Sequence, residues 1–347
     1  MTVWKDRIHR EVYMKLISNA FIRLTKKSAP QYDPEQELSW NRDYNSSSWF
    51  VIGHFEANGH RLNYLYHLMV WNDDKTGEPL MNSVVSVTDE TTGVYHGEDK
   101  FYSMSQTQIA EDHFGVRVPN GSMEGDLKKI HFTASMENVS LDIDLDFGKE
   151  IIFNGGGGRF FLANVPVQQY SKPVITPSGT LTLDGREYPV SGEAWFDRQW
   201  QKLPQKKNSR ASSDPVADGT IHWYWMDLNL DCGDKLSLWC VEIGKITRAW
   251  ATVLDQFGRQ DVVEVVPFSR YPGKKWKSPA SGQNYPIEYT VNIPERNAHL
   301  TVMPFPVEQE IASEHINKYE AASQISGIYQ GKPAKGFCYV ELVGSFK

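Results

Sequence analysis

Apolar and polar positions alternate over most of this chain. Trp49–Glu56 and Arg61–Trp71 are rich in aromatic and β-branched residues and flank Ala57-Asn58-Gly59-His60. Asn-Gly suits a tight hairpin turn because both central residues take positive φ. The same signal recurs where Asp184-Gly185 separates Thr180–Leu183 from Arg186–Val190. Further strand-like segments lie near 82–88, 100–109, 112–118, 130–136, 139–146 and 158–163. Short strands with a turn signal every 8–12 residues or so predict an all-β protein of barrels or sandwiches.

One stretch departs from this pattern. Over residues 4–24, Trp4, Ile8, Val12 and Leu16 recur four apart, which predicts an N-terminal amphipathic helix. Residues 1–27 carry seven Lys or Arg against two acids. Such a helix can lie on a membrane surface, but packing of its apolar stripe on its own domain is favoured. Residues 28–47, with Pro30, Pro34 and Asn45–Ser48, read as a connector.

The strands repeat. Trp49, Gly59 and Leu62 recur as Trp223, Gly233 and Leu236, each 174 positions later. The halves also end alike: Gly192-x-x-Trp195-x-Asp197 matches Gly336-x-x-Tyr339-x-Glu341, with glycine, aromatic and acid at the same spacing. The repeat predicts two β domains in tandem, residues 40–200 and 218–347. Residues 1–39 form the helix and connector before them, and the polar segment 201–217 is a linker or flap.

The most distinctive segment is Gly192–Trp200. On a strand, Trp195, Asp197 and Gln199 share one face, and Phe196, Arg198 and Trp200 the other. A carboxyl beside an indole is poorly solvated, which raises its pKa and suits it to donate a proton. A structural carboxylate paired with an arginine is the competing reading. Arg198 points away from Asp197 if the strand is regular, so a raised pKa is expected. Six of the 11 tryptophans fall between 195 and 250, near the junction of the two halves. Aromatic walls there would make an apolar ligand pocket.

Net charge is −7, with no basic stripe interleaved with aromatics, so nucleic acid is not an expected partner. Cys232, Cys240 and Cys338 make no disulfide framework, and no apolar run has the roughly 18 residues of a membrane-spanning helix. Together with the lack of a secretory apolar core, this favours the cytoplasm. The motifs of nucleophile elbows, phosphate loops and zinc proteases are absent. Asn154-Gly-Gly-Gly-Gly158 lacks a following helix, so its glycines fit a bulge or a close backbone approach. His54, His60 and His67 flank the first hairpin without a metal-site pattern, and neither a metal nor a cofactor is expected.

Tyr170–Pro173, Gly179–Trp200, His222–Trp225 and Gly336–Gly344 together resemble the carotenoid 1,2-hydratase (hydroxyneurosporene synthase) and AttH-like family. The resemblance spans roughly residues 40–347. It implies two lipocalin-like β-barrels packed together. It also implies cofactor-independent chemistry on an apolar polyene or isoprenoid-like molecule: hydration, isomerisation or cyclisation, Diels–Alder ring closure included. Family hydratases protonate the alkene with the acid of an aromatic-x-Asp motif, which maps to Trp195-x-Asp197. Their His-x-Trp motif maps to Gln168-x-Tyr170, where the histidine is missing. That departure leaves cyclase, isomerase and carrier readings open.

The expected catalytic residues are therefore Asp197, Tyr170 and Arg198. Trp195, Gln168, Trp200, Trp223, Trp225, Glu193 and His222 are expected around the substrate. A non-catalytic lipid or pigment carrier is the alternative, and a hydrolase a weaker one, since no activated nucleophile is visible.

Overall fold

A computed structural model of the chain describes residues 29–72, 76–162, 165–203, 221–270, 272–313 and 317–346. The expected N-terminal helix and most of the expected linker lie outside the described residues. Among those residues the regular structure is strands and three short 3-10 turns. The all-β expectation holds.

Two large antiparallel sheets carry the fold. The first runs from Ser46 to Gln201 and the second from Ile221 to Val343, with all 14 and 9 strands drawn from their own half of the chain. Each sheet curls on itself. Among the described residues its two edge strands do not pair, so the sheets are half-barrels and not the closed barrels expected. Side chains explain the opening. The concave face of the first sheet is filled by large aromatics (Trp49, Tyr64, Tyr66, Phe132, Tyr170 and Trp200) and by the segment around Leu38, which packs into it.

That segment does more than connect. Trp49 Nε1 donates to the Leu38 carbonyl at 2.7 Å, and Tyr32 donates to the carbonyl of Gln169 at 2.9 Å. Gly158 lies directly beneath the Tyr32 ring, where any side chain would collide with it. The close backbone approach expected of the glycine run is therefore present.

The strands at the centre of each sheet are buried on both faces. Along Ser46–Ala57, Trp49, Val51 and Phe55 enter the concave core, while Phe50 and Ile52 face the other sheet. In the second half, Tyr224, Met226 and Leu228 point inward, whereas Trp223 and Trp225 face the first sheet. The convex faces meet in a third layer built on Trp195, Trp225, Trp239, Trp250 and Tyr339. Polar contacts tie this layer at its edges. Thr88 donates to Gln309 at 2.8 Å, Gln324 to Glu90 at 2.7 Å, and Lys235 pairs with Glu193.

The repeat is real but slips. Leu62 and Leu236 occupy matching concave positions, yet Trp49 lies in a core and Trp223 at the junction. The cause is the turn. Phe55 pairs with Leu62 seven residues later, whereas Leu228 pairs with Leu236 eight residues later. One extra residue reverses the facing of everything beyond it. The terminal motif does not slip: Trp195 and Tyr339 both lie in the junction layer.

If the junction layer holds the sheets together, its central indole matters to both. Trp225→Ala should cost about 3–5 kcal/mol, read as a lower midpoint in chemical denaturation. An unchanged midpoint would show that the layer contributes little.

Candidate active site

The strand Glu193–Gln201 separates the concave core of the first sheet from the junction, and it carries an acid on one side and a guanidinium cation on the other. Asp197 faces the junction and is 5% exposed. Trp195, two residues earlier on the same face, donates its Nε1 hydrogen to Asp197 Oδ1 at 2.7 Å. Gln169 Nε2, from the neighbouring strand, donates to Oδ2 at 2.8 Å. Ser171 is the direct cross-strand partner of Asp197 and also hydrogen-bonds its carboxyl. Behind it, Asn154 of the glycine run donates to Ser171 Oγ at 3.0 Å.

Burial dominates the electrostatics. It pushes the Asp197 carboxyl up to about 7, against the opposing hydrogen bonds from Ser171, Trp195 and Gln169, with help from the charge of Glu341. Asp227 also lies within electrostatic reach and is raised chiefly by its own burial. Asp227 is pinned: Tyr339 N donates to one oxygen at 2.6 Å and Asn229 to the other at 2.8 Å. A neutral carboxyl at Asp197 with an exchangeable proton is thus what this environment favours near neutrality.

Arg198 does not reach Asp197. Its guanidinium lies in the opposite layer between Trp49 and Trp200, 4.6 and 5.0 Å from the ring centroids. It donates to the carbonyls of Glu37, Ser39, Ser48 and Gln199 at 2.8–3.2 Å. Burial pushes it down to about 10, still a cation at neutral pH. Tyr170 stands opposite Arg198 on the adjacent strand, with its hydroxyl on the Pro34 carbonyl at 3.0 Å. Trp200 packs in the same core. Arg198, Tyr170 and Trp200 are therefore core residues that hold the segment around Leu38, and the expected catalytic roles of the first two find no support in their placement.

Gln168 shares the strand parity of Tyr170 and lies away from Asp197. The residue that reaches the acid is its neighbour Gln169, and the amide signal was displaced by one position. Of the other expected residues, Trp225 packs on Trp195 at 6.2 Å between centroids, and Trp223 Nε1 donates to Glu341 Oε1 at 2.8 Å. Glu193 pairs with Lys235 at the rim. His222 sits elsewhere, bonded to Glu242 at 3.0 Å beside a cleft of about 340 Å³ that Tyr224, Phe268 and Phe346 also line. Sequence reading did not place Gln169, Ser171, Asn154 or Glu341 at the site, although it had noted Asn154 and Glu341 in other motifs. A second cleft, about 570 Å³, lies at the junction's edge between Gly93–Tyr95 and Phe305–Glu308. His54, His60 and His67 are bonded separately, to Asn63, Asp89 and Ser48.

The AttH-like family model matches residues 35–345. The chain belongs to the AttH-like family. Its relatives include the dehydratase asqC of Emericella nidulans, 24% identical over 259 residues, which cover 69% of this chain and 70% of that one. Among solved structures, a protein of Nitrosomonas europaea assigned as AttH aligns with a TM-score of 0.75 at 21% identity, over 92% of this chain and 98% of that one. Kievitone hydratase from Nectria haematococca aligns at 0.73 and 20% identity, over 93% and 97%. At these identities the structural likeness speaks to the fold. No helix among the described residues of this AttH-like chain is long and apolar enough to cross a membrane.

Two measurements separate the faces of the Asp197 strand. Between about pH 4 and pH 7 the folded protein keeps a proton on Asp197 that the unfolded chain has released, so this group's contribution to stability falls as pH rises. Asp197→Asn should therefore be more stable than the wild type at about pH 8, by up to the order of 4 kcal/mol, and little different at about pH 4. The buried Gln169 Oε1 has no partner among the described residues, so a flip of its amide can accept from the new Asn. A stability difference independent of pH would refute the raised pKa.

On the other face, Arg198→Ala strips a donor from four carbonyls and should cost about 3–5 kcal/mol. Tyr170→Phe should cost about 1–2 kcal/mol and leave ligand conversion intact. A Tyr170→Phe protein that is fully stable yet inert would restore Tyr170 to the chemistry.

Proposed function

We propose that this protein is a cofactor-independent enzyme that adds water to, or removes it from, an apolar unsaturated small molecule held between the two sheets, with Asp197 as the proton donor. One observation carries the reading. A carboxyl raised to about 7 is buried in an aromatic layer, held by an indole and an amide, with no cation paired to it among the described residues. The names of two relatives support the same chemistry, one a dehydratase and one a hydratase.

In the hydration direction, Asp197 transfers its proton to one alkene carbon, and the π electrons of the double bond form the new C–H bond. The adjacent carbon becomes cationic, and the faces of Trp195 and Trp225 stabilise it. Water adds to that carbon, and its surplus proton returns to the Asp197 carboxylate. The sum is one water gained and the acid regenerated. Dehydration is the same path reversed. The family's His-x-Trp pair has no counterpart beside this acid, since Gln168 and Tyr170 lie on the other side of the strand. Gln169 and Ser171 instead orient the carboxyl. If water is excluded, the same cation can be captured by a second double bond, which is cyclisation.

The test is incubation of the protein with a panel of prenylated phenols and polyenes in ¹⁸O-labelled water, read by mass spectrometry. Hydration gives a product with one labelled oxygen and two added hydrogens. Cyclisation gives a product of unchanged mass and altered retention. Asp197→Asn should lower either rate at least about a hundredfold. In the wild type the rate should fall as pH climbs through about 7, because the donor must be protonated. Retention of full rate in Asp197→Asn would remove the acid role. A ligand bound and returned unchanged would mark the protein as a carrier.

A further inference from the structure

The second half-barrel has a mouth of its own, away from Asp197. On the strand Ile221–Leu230, Trp223 and Trp225 face the junction, and His222 and Tyr224 face the opposite, concave side. The second sheet therefore stands between this mouth and the proposed acid. His222 and Glu242 are direct cross-strand partners, with His222 Nε2 3.0 Å from Glu242 Oε2. The backbone of Gly344 seats the C-terminal segment against them. A side chain there would collide with His222, and its φ of +113° also favours glycine. That segment brings Ser345 and Phe346 to the cleft of about 340 Å³ that His222 and Glu242 line. The walls are aromatic. Phe346 lies 5.0 Å from the His222 ring and 5.4 Å from Tyr224, and Phe268 lies 5.2 and 5.7 Å from Tyr224 and Tyr289.

Three polar atoms on residues of this one cleft are buried without a partner among the described residues: His222 Nδ1, Glu242 Oε1 and Ser345 Oγ. As a carboxylate Glu242 can only accept, so the hydrogen shared by the pair belongs to His222 Nε2. A neutral imidazole that donates through Nε2 offers Nδ1 as an acceptor. Two of the three free atoms thus call for a donor, and the Ser345 hydroxyl can give or take. The His222 and Glu242 side chains are 21% and 17% exposed. Rotation about the last torsion of a glutamate is soft, so the free oxygen can turn towards a guest in the cleft. Charge narrows the guest further. Lys275 and Glu288 also line the cleft, and Lys274 lies 3.4 Å from Glu288. Two lysines against two glutamates favour a neutral molecule, and the Glu242 carboxylate repels an anion. Buried acceptors left unpaired are costly, so a donor that meets them gains more than one at the surface.

We infer that this cleft is a second binding site, for a neutral phenol whose hydroxyl donates to the Glu242–His222 pair and accepts from Ser345, with its ring among Tyr224, Phe268, Tyr289 and Phe346. At about 340 Å³ the cleft is near the small end of ligand pockets, roughly 300–1,000 Å³, and suits one or two fused rings. The inference does not depend on the Asp197 chemistry.

The test is fluorescence titration with 2-naphthol and 2-methoxynaphthalene, which share a ring system but not the donor. The wild type should bind the naphthol roughly tenfold more tightly than the ether. Glu242→Gln, close in shape, should remove most of that preference. Ser345→Ala deletes only a hydroxyl without a partner and should fold normally. It should weaken the naphthol about threefold and leave the ether unchanged. Asp197→Asn should alter neither affinity, because the second sheet lies between. Equal binding of the two probes, or a preference that survives both cleft variants, would overturn the inference. So would loss of naphthol binding in Asp197→Asn, which would place the ring at the junction. Tighter binding of 1-naphthylmethylammonium than of the naphthol would make the pair a cation site and sink the phenol.

Discussion

A strand buried on both faces must find, within protein, a setting for every charge it carries. Glu193–Gln201 is such a strand, and it places Asp197 and Arg198 next to each other in sequence and back to back in space. Alternation of side chains keeps them apart, so neither can neutralise the other. Arg198 instead receives two indole faces and four backbone carbonyls, a full set of partners for a cation. Asp197 receives an indole N–H, an amide and a hydroxyl, which is less than a buried anion needs. The asymmetry decides the roles. The satisfied charge is structural, and the under-satisfied one is held protonated and available.

Much of this was legible because strand alternation is so regular. The pairing of Trp195 with Asp197, the opposite facing of Arg198 and the raised carboxyl all follow from period two and the chemistry of desolvation. The repeated aromatic-x-acid ending was legible for the same reason, and in the structure Trp195 and Tyr339 lie in one layer. What failed was whatever depended on register between strands. Gln168 and Tyr170 were read as partners of Asp197 from motif spacing, but pairing sets Ser171 opposite Asp197, and parity then brings Gln169 to it. A register cannot be read from one strand, and an error of one residue exchanges the two faces.

The slip between Trp49 and Trp223 has the same origin in a turn longer by one residue. The role of residues around Leu38 was hidden for another reason. Nothing in a polar, proline-containing stretch says that its carbonyls will be the acceptors for a buried guanidinium.

The location of the site follows from how the sheets fill. A lipocalin-like shape holds its ligand inside the barrel. Here the concave face of the first sheet is occupied by its own aromatics and by the segment that Arg198, Tyr170 and Trp49 anchor. Among the described residues, buried groups without partners occur in this core, at Tyr64 Oη and Tyr66 Oη, and also at the junction. Gln169 Oε1, Tyr339 Oη, the Glu320 carboxyl and Trp239 Nε1 all belong to strands whose convex faces form the junction. Native interiors rarely leave such groups unpaired without a use for them. Filling the first core turns a ligand-holding interior into scaffold. The junction adds buried carboxyls, Asp197 and Glu320, to such groups, and it is on the first of these that the proposed acid chemistry is set.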